Sequence, residues 1–349
     1  MRIAWFRHAT PYATDALDAG AALIDQLRSS HDIDVIVERN AHDFVWQHLH
    51  RPWDLYVYEL DNTPAHEFIW AYLINYPGVV MLRSTDLPHL RVPLLASRSV
   101  VTSNAANAEL LRARYPDVHI RVAPICSGPR GTAPHLESGA DLTGPRATRI
   151  AVFDRRPWDG AVVERAIQRA RDAGATVQLL EPDSDLVAGC DLVIAPGWPP
   201  FHDAPTAVFA GMAAGKAVVT TEMDATAEWP AMDPQTWRPR GIGISDPPIA
   251  VTIDARDEEH SLMLAIRRLS SDAVLREQLG RAGHHWWKNH ATPVHAAAAW
   301  EQILEEAVRL SPLPRPDDWP KEFGEDGTEL AREILTEFGL PPSDTQARS

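Results

Sequence analysis

Cysteine, positive charge and long apolar runs are all scarce in this chain, and each shortage excludes a class of protein. Its 349 residues include two cysteines, Cys126 and Cys190, which are too few for a secreted disulfide framework and lie beside apolar runs that suit buried thiols. The formal net charge of −15 argues against nucleic acid as a partner, because phosphate binding needs clustered lysine and arginine. A small anionic ligand in a local basic pocket remains compatible with this charge.

Apolar runs that could cross a membrane are also missing. No run approaches the ~20 apolar residues of a membrane-spanning helix. The nearest candidate, residues 68–82, is interrupted by Asn75 and Pro77. The first residues, MRIAWFRHATP, lack the apolar region of a secretory signal. We therefore expect a cytoplasmic protein without a transmembrane segment; peripheral contact with a membrane-borne acceptor stays open.

The chain does have length and a repeated alternation of strand and helix patterns. A chain of 349 residues is longer than a single hydrophobic core usually accommodates, so its length suits two domains. Apolar runs such as RIAWF, DIDVIVE and SVVTS alternate with predicted helices in the first half, and a second such pattern starts at RIAVFD. This alternation predicts an α/β protein with two doubly wound, Rossmann-like domains.

Composition also predicts where the domains begin and end. Residues 127–147 are rich in Gly, Pro and Ser and lack periodicity, so they are predicted to link a domain over 1–126 to a domain over 148–310. Amphipathic helices are predicted at 257–279 and 294–309. The tail, 311–349, starts as an extended SPLPRPDDWP segment and has a charged helix pattern near its end.

Polar side chains follow predicted strand ends throughout residues 53–91, WDLYVYELDNTPAHEFIWAYLINYPGVVMLRSTDLPHLR. The pattern predicts a strand, a polar loop, a helix, a second strand and a second polar loop. Open α/β sheets bind ligands at the carboxyl ends of their strands. The side chains that we expect to line one crevice there are Asn62, His66, Arg83, Asp86 and His89. His8 lies in the first strand-to-helix loop, which would face the same crevice.

The second half offers candidates for an anionic ligand. Arg155 and Arg156 follow a predicted strand and precede a helix, where basic side chains and free backbone amides hold phosphate. The alternative is a pair of solvated arginines. The loop 197–206 suits a structured cover over a ligand, with His202, Asp203 and Thr206 as its candidate contacts. An N-cap is the alternative role for Asp203.

Residues 53–91 resemble the amino-terminal half of bacterial family-4 glycosyltransferases. The shared features are a Tyr-x-Leu strand end, an Asn and a His in the next loop, an aromatic helix, Pro-Gly and a strand ending in Leu. In this chain they are Asn62, His66, Phe68, Pro77, Gly78 and Leu82. The resemblance continues through CDLVIAPGWPPFHDAPTAVFAGMAAGKAVVTTEMDATAEWP and SSDAVLREQLGRAG, and covers roughly residues 1–310.

This resemblance implies a fold, a reaction and roles for the candidates. The fold would be GT-B, in which two Rossmann-like domains face a cleft. The reaction would move a sugar from a nucleotide-diphosphate sugar to a glycan or other hydroxyl acceptor, with retention of configuration and without a cofactor or metal. The first domain would hold the acceptor through His8, Asn62 and His66, with the 83–89 loop at the reacting centre. Arg155 and Arg156 would hold the donor phosphates, and the loop 197–206 the donor sugar.

The chain departs from the family pattern at three places. The family's Leu-His-Asp is Leu82-Arg83-Ser84 here; an arginine can stabilise a phosphate leaving group but cannot act as a base. Asp86 and His89 could then supply a carboxylate and an imidazole. The family's two glutamates, eight positions apart, fall on His202 and Ala210. A strand–helix unit that reads the nucleotide base in the family is missing before DLVIAP, so the resemblance implies that the second domain is shortened.

These departures leave two alternatives to a glycosyltransferase. One is a non-catalytic relative that keeps the fold and binds or regulates a partner, since fold alone does not establish function. The other, weaker one is a sugar-modifying enzyme on the same two-domain plan, such as an epimerase, whose catalytic carboxylates are not evident in the sequence.

Overall fold

Two β-sheets organise the chain in the computed structural model. The structure describes residues 1–8, 19–62, 64–87, 89–124, 126, 146–153, 160–180, 186–197, 206–223, 226–240, 246–320 and 334–338. Both sheets are mainly parallel, and helices join their strands. The predicted fold class, two doubly wound α/β sheets, is therefore confirmed.

The first sheet is built from the amino-terminal part of the chain. Its strands are β1 (Arg2–Phe6), β2 (Asp32–Ile36), β3 (Leu55–Leu60), β4 (Val79–Leu82), β5 (Ser99–Thr102) and β6 (Ile120–Val122). The helices beside them are α1 (Ala19–Leu27), α2 (Glu38–Ala41), α3 (Phe44–His50), α4 (Glu67–Asn75), α5 (Arg91–Ala96) and α6 (Ala105–Arg114). The strand order is β2-β1-β3-β4-β5-β6, with every neighbouring pair parallel.

Side chains of the first sheet alternate between two buried faces, as the two-residue period of a strand requires. Ile3 and Trp5 of β1 belong to one apolar cluster, which includes residues of α1. Ala4 and Phe6 belong to the cluster on the opposite face, which α3, α4 and α5 help to cover. Every residue of β3 is buried, so this strand has no solvent-facing side.

The second sheet comes from the rest of the chain. Its strands are β7 (Thr148–Val152), β8 (Val177–Leu179), β9 (Leu192–Ala195), β10 (Ala217–Thr221), β11 (Ala231–Met232), β12 (Pro239–Arg240) and β13 (Ala250–Ile253). The helices are α7 (Gly160–Asp172), α8 (Leu186–Gly189), α9 (Thr206–Ala213), α10 (Glu258–Ser271), α11 (Ala273–His290) and α12 (Pro293–Arg309). The order is β12-β11-β13-β10-β9-β7-β8, with only β11 and β12 antiparallel among the paired strands described.

The last helix, α12, packs against the first sheet. Its Trp300 is buried and lies 5.2 Å from Trp5 between ring centroids. Glu301 accepts a hydrogen bond from the His31 ring at 2.6 Å, and Glu306 pairs with Arg121 at 2.8 Å. The chain therefore returns to its first sheet after completing the second.

The segment after α12 continues along the first sheet. Asp318 accepts two hydrogen bonds from the Arg91 guanidinium, at 2.6 and 2.9 Å. Arg315 donates to the Ile74 carbonyl at 3.2 Å, while Leu313 and Trp319 pack on the cluster that contains Phe6. The first part of the predicted tail is thus fastened to this sheet.

One predicted helix is wrong. The pattern over 257–279 predicts a single helix, whereas the structure ends α10 at Ser271 and begins α11 at Ala273. Asp272 causes the break, because its carboxylate caps α11 by accepting the Leu275 amide at 2.9 Å. The domain limits at 126, 147 and 310 stay predictions, and 127–145 lie outside the described residues. No helix within the described ranges is both long and apolar enough to cross a bilayer.

Candidate functional site

The first candidate edge lies where the strand order of the first sheet reverses. β1 has β2 on one side and β3 on the other, so the connections leave in opposite directions. Ligands of open α/β sheets bind at such a switch point, outside the carboxyl ends of the strands. Arg7 and His8 follow β1, Asp61 and Asn62 follow β3, and Arg83 follows the adjacent β4.

A buried carboxylate organises this edge. Glu59 on β3 is 3% exposed. Its Oε1 accepts a hydrogen bond from the Trp5 indole at 2.9 Å, and its Oε2 accepts one from Arg83 Nη2 at 3.2 Å. The Arg7 guanidinium approaches Oε1 at 3.5 Å. A carboxylate leaves water at a high cost unless it is paired and hydrogen-bonded, and these donors supply the pairing.

Helix α1 closes on the same carboxylate. A Cβ atom added at Gly20 would lie 2.5 Å from Glu59 Oε1 and 3.1 Å from Arg7 Nη2. Glycine therefore allows the first turn of α1 to approach the ion pair. The positive end of a helix dipole also favours a negative charge at this place.

Two histidines lie at the same edge. The rings of His8 and His66 are 5.7 Å apart between centroids. Burial lowers the pKa of His66 below its ordinary 6.5, although Asp61 and Glu59 act in the opposite direction. Burial therefore favours the neutral form of the His66 imidazole. His66 ends the short 3-10 turn of residues Pro64–His66, which follows the loop after β3.

The other predicted residues of this edge are on its surface. Asn62 is exposed, and its backbone amide donates to Asp61 Oδ1 at 2.8 Å. Asp86 is exposed, with its amide bonded to Ser84 Oγ at 3.1 Å. His89 is exposed and has a left-handed backbone, φ 55°, an uncommon conformation for a side-chain-bearing residue. The structure brings Arg83, His8 and His66 together, while Asp86 and His89 stay on the loop that leads to α5.

The second candidate edge is the switch point of the second sheet. β7 has β8 on one side and β9 on the other. The registers Ile150↔Leu192 and Val152↔Ile194 bring the ends of β7 and β9 together. The chain after β7 leads to Arg155 and Arg156, and the chain after β9 leads to the loop 197–206. The two predicted donor segments therefore start from neighbouring strand ends.

Helix α9 begins at this second edge with a buried hydroxyl. Thr206 is its first residue and is 6% exposed. Its Oγ1 is buried and has no hydrogen-bond partner in the part of the chain that the structure describes. A buried hydroxyl without a partner costs free energy, and the amides of a first helical turn also lack intrahelical acceptors. This position has the groups that an anionic ligand would satisfy.

Further hydroxyls line the neighbouring strand ends. The Gly197 amide donates to Thr221 Oγ1 at 3.2 Å, and Thr220 Oγ1 donates to the Ala195 carbonyl at 2.9 Å. Thr226 accepts the Met223 amide at 3.0 Å. These threonines are buried and hydrogen-bonded, in contrast to Thr206.

Four predicted donor contacts lie outside the described residues: Arg155, Arg156, His202 and Asp203. The described part of the segment between β8 and β9 contains only the short helix α8. Within the ranges described above, no three His, Cys, Asp or Glu side chains are placed to hold a metal ion.

Sequence reasoning missed Glu59, although a signal was present. The run LYVYEL is apolar enough to predict a strand buried on both faces, and a single carboxylate within such a run requires partners. The arginines that follow the ends of β1 and β4, Arg7 and Arg83, are those partners. The sequence pattern showed the strand ends but not which side chains meet there.

Comparisons with known proteins support the fold. No protein-family model and no curated protein matches this chain. HepE from Anabaena, crystallised with UDP-glucose, is 15% identical, with a TM-score of 0.59 over 88% of this chain and 100% of that chain. Its complexes with UDP, and with UDP and glucose, give TM-scores of 0.58 and 0.57 at 14% identity over the same shares. At this identity the likeness shows the fold alone, and that fold is the two-sheet GT-B architecture.

Proposed function

We propose that this chain is a glycosyltransferase that moves a sugar from a nucleotide-diphosphate sugar to an acceptor hydroxyl. The observation that carries the proposal is the Thr206 hydroxyl at the first turn of α9, which is buried and has no hydrogen-bond partner among the described residues. It lies beside the switch point of the second sheet. A diphosphate oxygen would accept from this hydroxyl and from the helix amides. HepE, which has the same fold, is crystallised with UDP-glucose, and this supports a nucleotide sugar as the donor.

We assign the donor to the second sheet. Arg155 and Arg156 follow β7 and would neutralise the diphosphate, while His202, Asp203 and Thr206 belong to the segment that follows β9 and would contact the sugar and phosphate. This charge neutralisation would stabilise the leaving diphosphate, which is the main catalytic requirement of such a transfer. The reaction proceeds with retention and without a metal or other cofactor in this proposal, so EDTA should leave turnover unchanged.

We assign the acceptor to the first sheet. His8, Asn62 and His66 would contact its hydroxyls, and the neutral His66 imidazole can accept a hydrogen bond from one of them. Arg83, Asp86 and His89 lie after β4, at or near the reacting centre. Holding donor and acceptor in one geometry would supply much of the rate.

A thermal titration with product detection tests this function. A ligand that binds the native state raises the apparent unfolding temperature by mass action. We expect one nucleoside diphosphate and its sugar to give a saturable rise, and a sugar acceptor to be glycosylated. Absence of both, across all donor bases, would overturn the proposal.

The Arg156→Ala variant tests the phosphate clamp. We expect donor turnover to be abolished and the melting temperature without ligand to be unchanged. Arg169→Ala is the matched control, because Arg169 lies on α7 of the same sheet and pairs with Glu259 on the surface. Equal turnover in Arg156→Ala and wild type would remove the clamp from the proposal.

A non-catalytic binding protein is the second candidate, and one observation favours it. Ala210, at the position of the family's second glutamate, lies on α9 and is partly buried, so no carboxylate occupies that place. Such a protein would show no product with any donor and would copurify with an active glycosyltransferase. Product formation by the isolated chain would rule it out.

A further inference from the structure

The Glu59–Arg83 pair spans from the interior of the first sheet to its edge. The Glu59 side chain is 4% exposed, and the Arg83 side chain is 21% exposed. The buried carboxylate thus binds the guanidinium from the interior of the sheet. Part of the arginine side chain is exposed at the switch point. The Arg91–Asp318 pair differs, since its side chains are 47% and 68% exposed.

The carboxylate itself has little freedom to move. The Trp5 indole donates to Oε1, and Trp5 is in turn packed against Trp300 of α12 at 5.2 Å. Gly20 of α1 lies so close that a Cβ atom there would overlap Oε1. Contacts at Oε1 from β1 and α1, with Trp300 of α12 packed behind Trp5, therefore restrict the carboxylate whose Oε2 Arg83 binds.

A buried ion pair is a poor device for stability alone. Replacing a buried pair with apolar side chains of similar volume is often neutral or stabilising, because desolvation offsets the attraction. A guanidinium is planar and binds anions in a directional way, so its orientation decides whether it can meet a phosphate oxygen. An arginine at a strand end is also attached through flexible methylenes, and a fixed carboxylate removes that freedom before substrate binds.

We infer that Glu59 is a positioning residue that orients the Arg83 guanidinium for the transfer reaction. Glu59 contacts neither donor nor acceptor in this arrangement; it acts through Arg83. This inference rests on the proposed function for its effect on turnover, whereas the orientation of Arg83 by Glu59 is measurable without any substrate.

Chemical modification tests the orientation directly. Phenylglyoxal reacts with accessible guanidinium groups, and peptide mass spectrometry resolves each arginine. We expect Arg83 to react about tenfold faster in Glu59→Gln than in wild type, the factor that follows from losing a charge-assisted hydrogen bond. Asp318→Asn is the matched control, because it should raise the modification rate of Arg91 and leave that of Arg83 unchanged. Equal Arg83 rates in wild type and a folded Glu59→Gln would overturn the inference.

Glu59→Asp is a second variant, which tests the same inference if Glu59→Gln does not fold. Glu59→Asp keeps the charge between the two arginines and withdraws the carboxylate by about one C–C bond, ~1.5 Å. Arg83 should still react faster than in wild type. If Glu59→Gln does not fold, an Arg83 modification rate in Glu59→Asp equal to that in wild type would overturn the inference.

Turnover then tests the consequence for the reaction. We expect Glu59→Gln to lower kcat about 10- to 100-fold with donor KM within about twofold, the pattern of an interaction made mainly in the transition state. Arg83→Lys should lower kcat similarly, and the double variant should be no worse than the lower single variant, because both act through one guanidinium. Additive losses would overturn the positioning role. If wild type transfers no sugar at all, the proposed function fails, and the modification rates still decide whether Glu59 orients Arg83.

Discussion

The carboxyl edges of the two sheets have the same topology and opposite chemistry. At the first edge, Glu59 is hydrogen-bonded to Trp5 and Arg83 and paired with Arg7, so the negative charge of this carboxylate is compensated within the protein. At the second edge the described groups are hydroxyls and amides, and Thr206 keeps a buried Oγ1 without a partner there. The first edge is preorganised by ion pairing, whereas the second has a buried hydroxyl that we propose a ligand to satisfy.

This difference separates stability from binding. Substitutions at the first edge should lower the free energy of unfolding, because they break contacts that exist in the free protein. Substitutions at Thr206 should change ligand affinity and leave the free protein nearly as stable as before. Four substitutions or pH series test whether the first edge contributes to stability and Thr206 does not.

Glu59→Ala should have the largest effect. It leaves Arg7 and Arg83 without their shared carboxylate, and removing one partner of a buried ion pair costs about 3–5 kcal/mol. Urea unfolding followed by circular dichroism measures this loss. Asp318→Ala is the control, because its pair with Arg91 is exposed and should contribute far less. Equal losses in the two variants would contradict a special role for the first edge.

Gly20→Ala should cause the next largest loss in the free energy of unfolding. The new methyl group would meet Glu59 Oε1 at 2.5 Å, and the fixed carboxylate cannot move away without breaking its hydrogen bonds. We expect a loss of about 1–3 kcal/mol from overpacking, partly offset by the helix propensity of alanine. Gly189→Ala, whose nearest neighbour would be 3.7 Å away, should be neutral or stabilising. A stabilising Gly20→Ala would show that the carboxylate is free to move.

The pH dependence of stability should reveal His66. Its folded pKa is below the ordinary 6.5 because of burial, so the unfolded chain binds the proton first. Stability should therefore be full above pH 6.5 and decline as the pH falls toward the folded pKa, by at most about 1.4 kcal/mol per pH unit for one proton. His66→Gln should flatten this decline in urea unfolding curves between pH 7 and 5. His48, whose pKa burial also lowers, adds a decline of the same sign, so His48→Gln is the matched variant. Parallel curves for wild type and His66→Gln would contradict the burial argument.

Thr206→Val should have the smallest effect on the free protein. Valine has nearly the same shape and removes a buried hydroxyl that has no partner in the described chain, so the free energy of unfolding should stay the same or rise by up to about 1 kcal/mol. Thr226→Val is the contrasting control: its Oγ1 accepts the Met223 amide and contacts the Thr221 carbonyl, so about 1–2 kcal/mol should be lost. Equal losses at both positions would show that Thr206 is bonded after all.

The sequence predicted the elements well because their signals are local. The run VVML predicts the strand Val79–Leu82, and the structure has β4 at those residues. The prediction of a single helix over 257–279 is wrong because Asp272 interrupts the amphipathic pattern as the cap of α11. A cap is a local signal and could have been found.

The assembly of the first edge could not be predicted in the same way. The apolar face of α12 predicts that this helix is buried but does not indicate which element it packs against. The packing of Trp300 on Trp5 joins residues almost 300 positions apart. Glu59 was visible as a carboxylate in a buried strand, but its bonds to Trp5 and Arg83 depend on strand order. The extended pattern of the tail does not predict its packing, whereas the Arg91–Asp318 hydrogen bond shows where its first part is bound.

Calorimetric titration of the wild type and Thr206→Val with the nucleoside diphosphates decides whether the second edge holds the donor. We expect one base to bind the wild type at a single site and Thr206→Val to weaken this binding about tenfold, the factor for ~1.4 kcal/mol of lost hydrogen bonding, while the free energy of unfolding of the free protein is not lowered. Equal affinity in the two proteins, or no binding to the wild type, would contradict a donor site at the second edge.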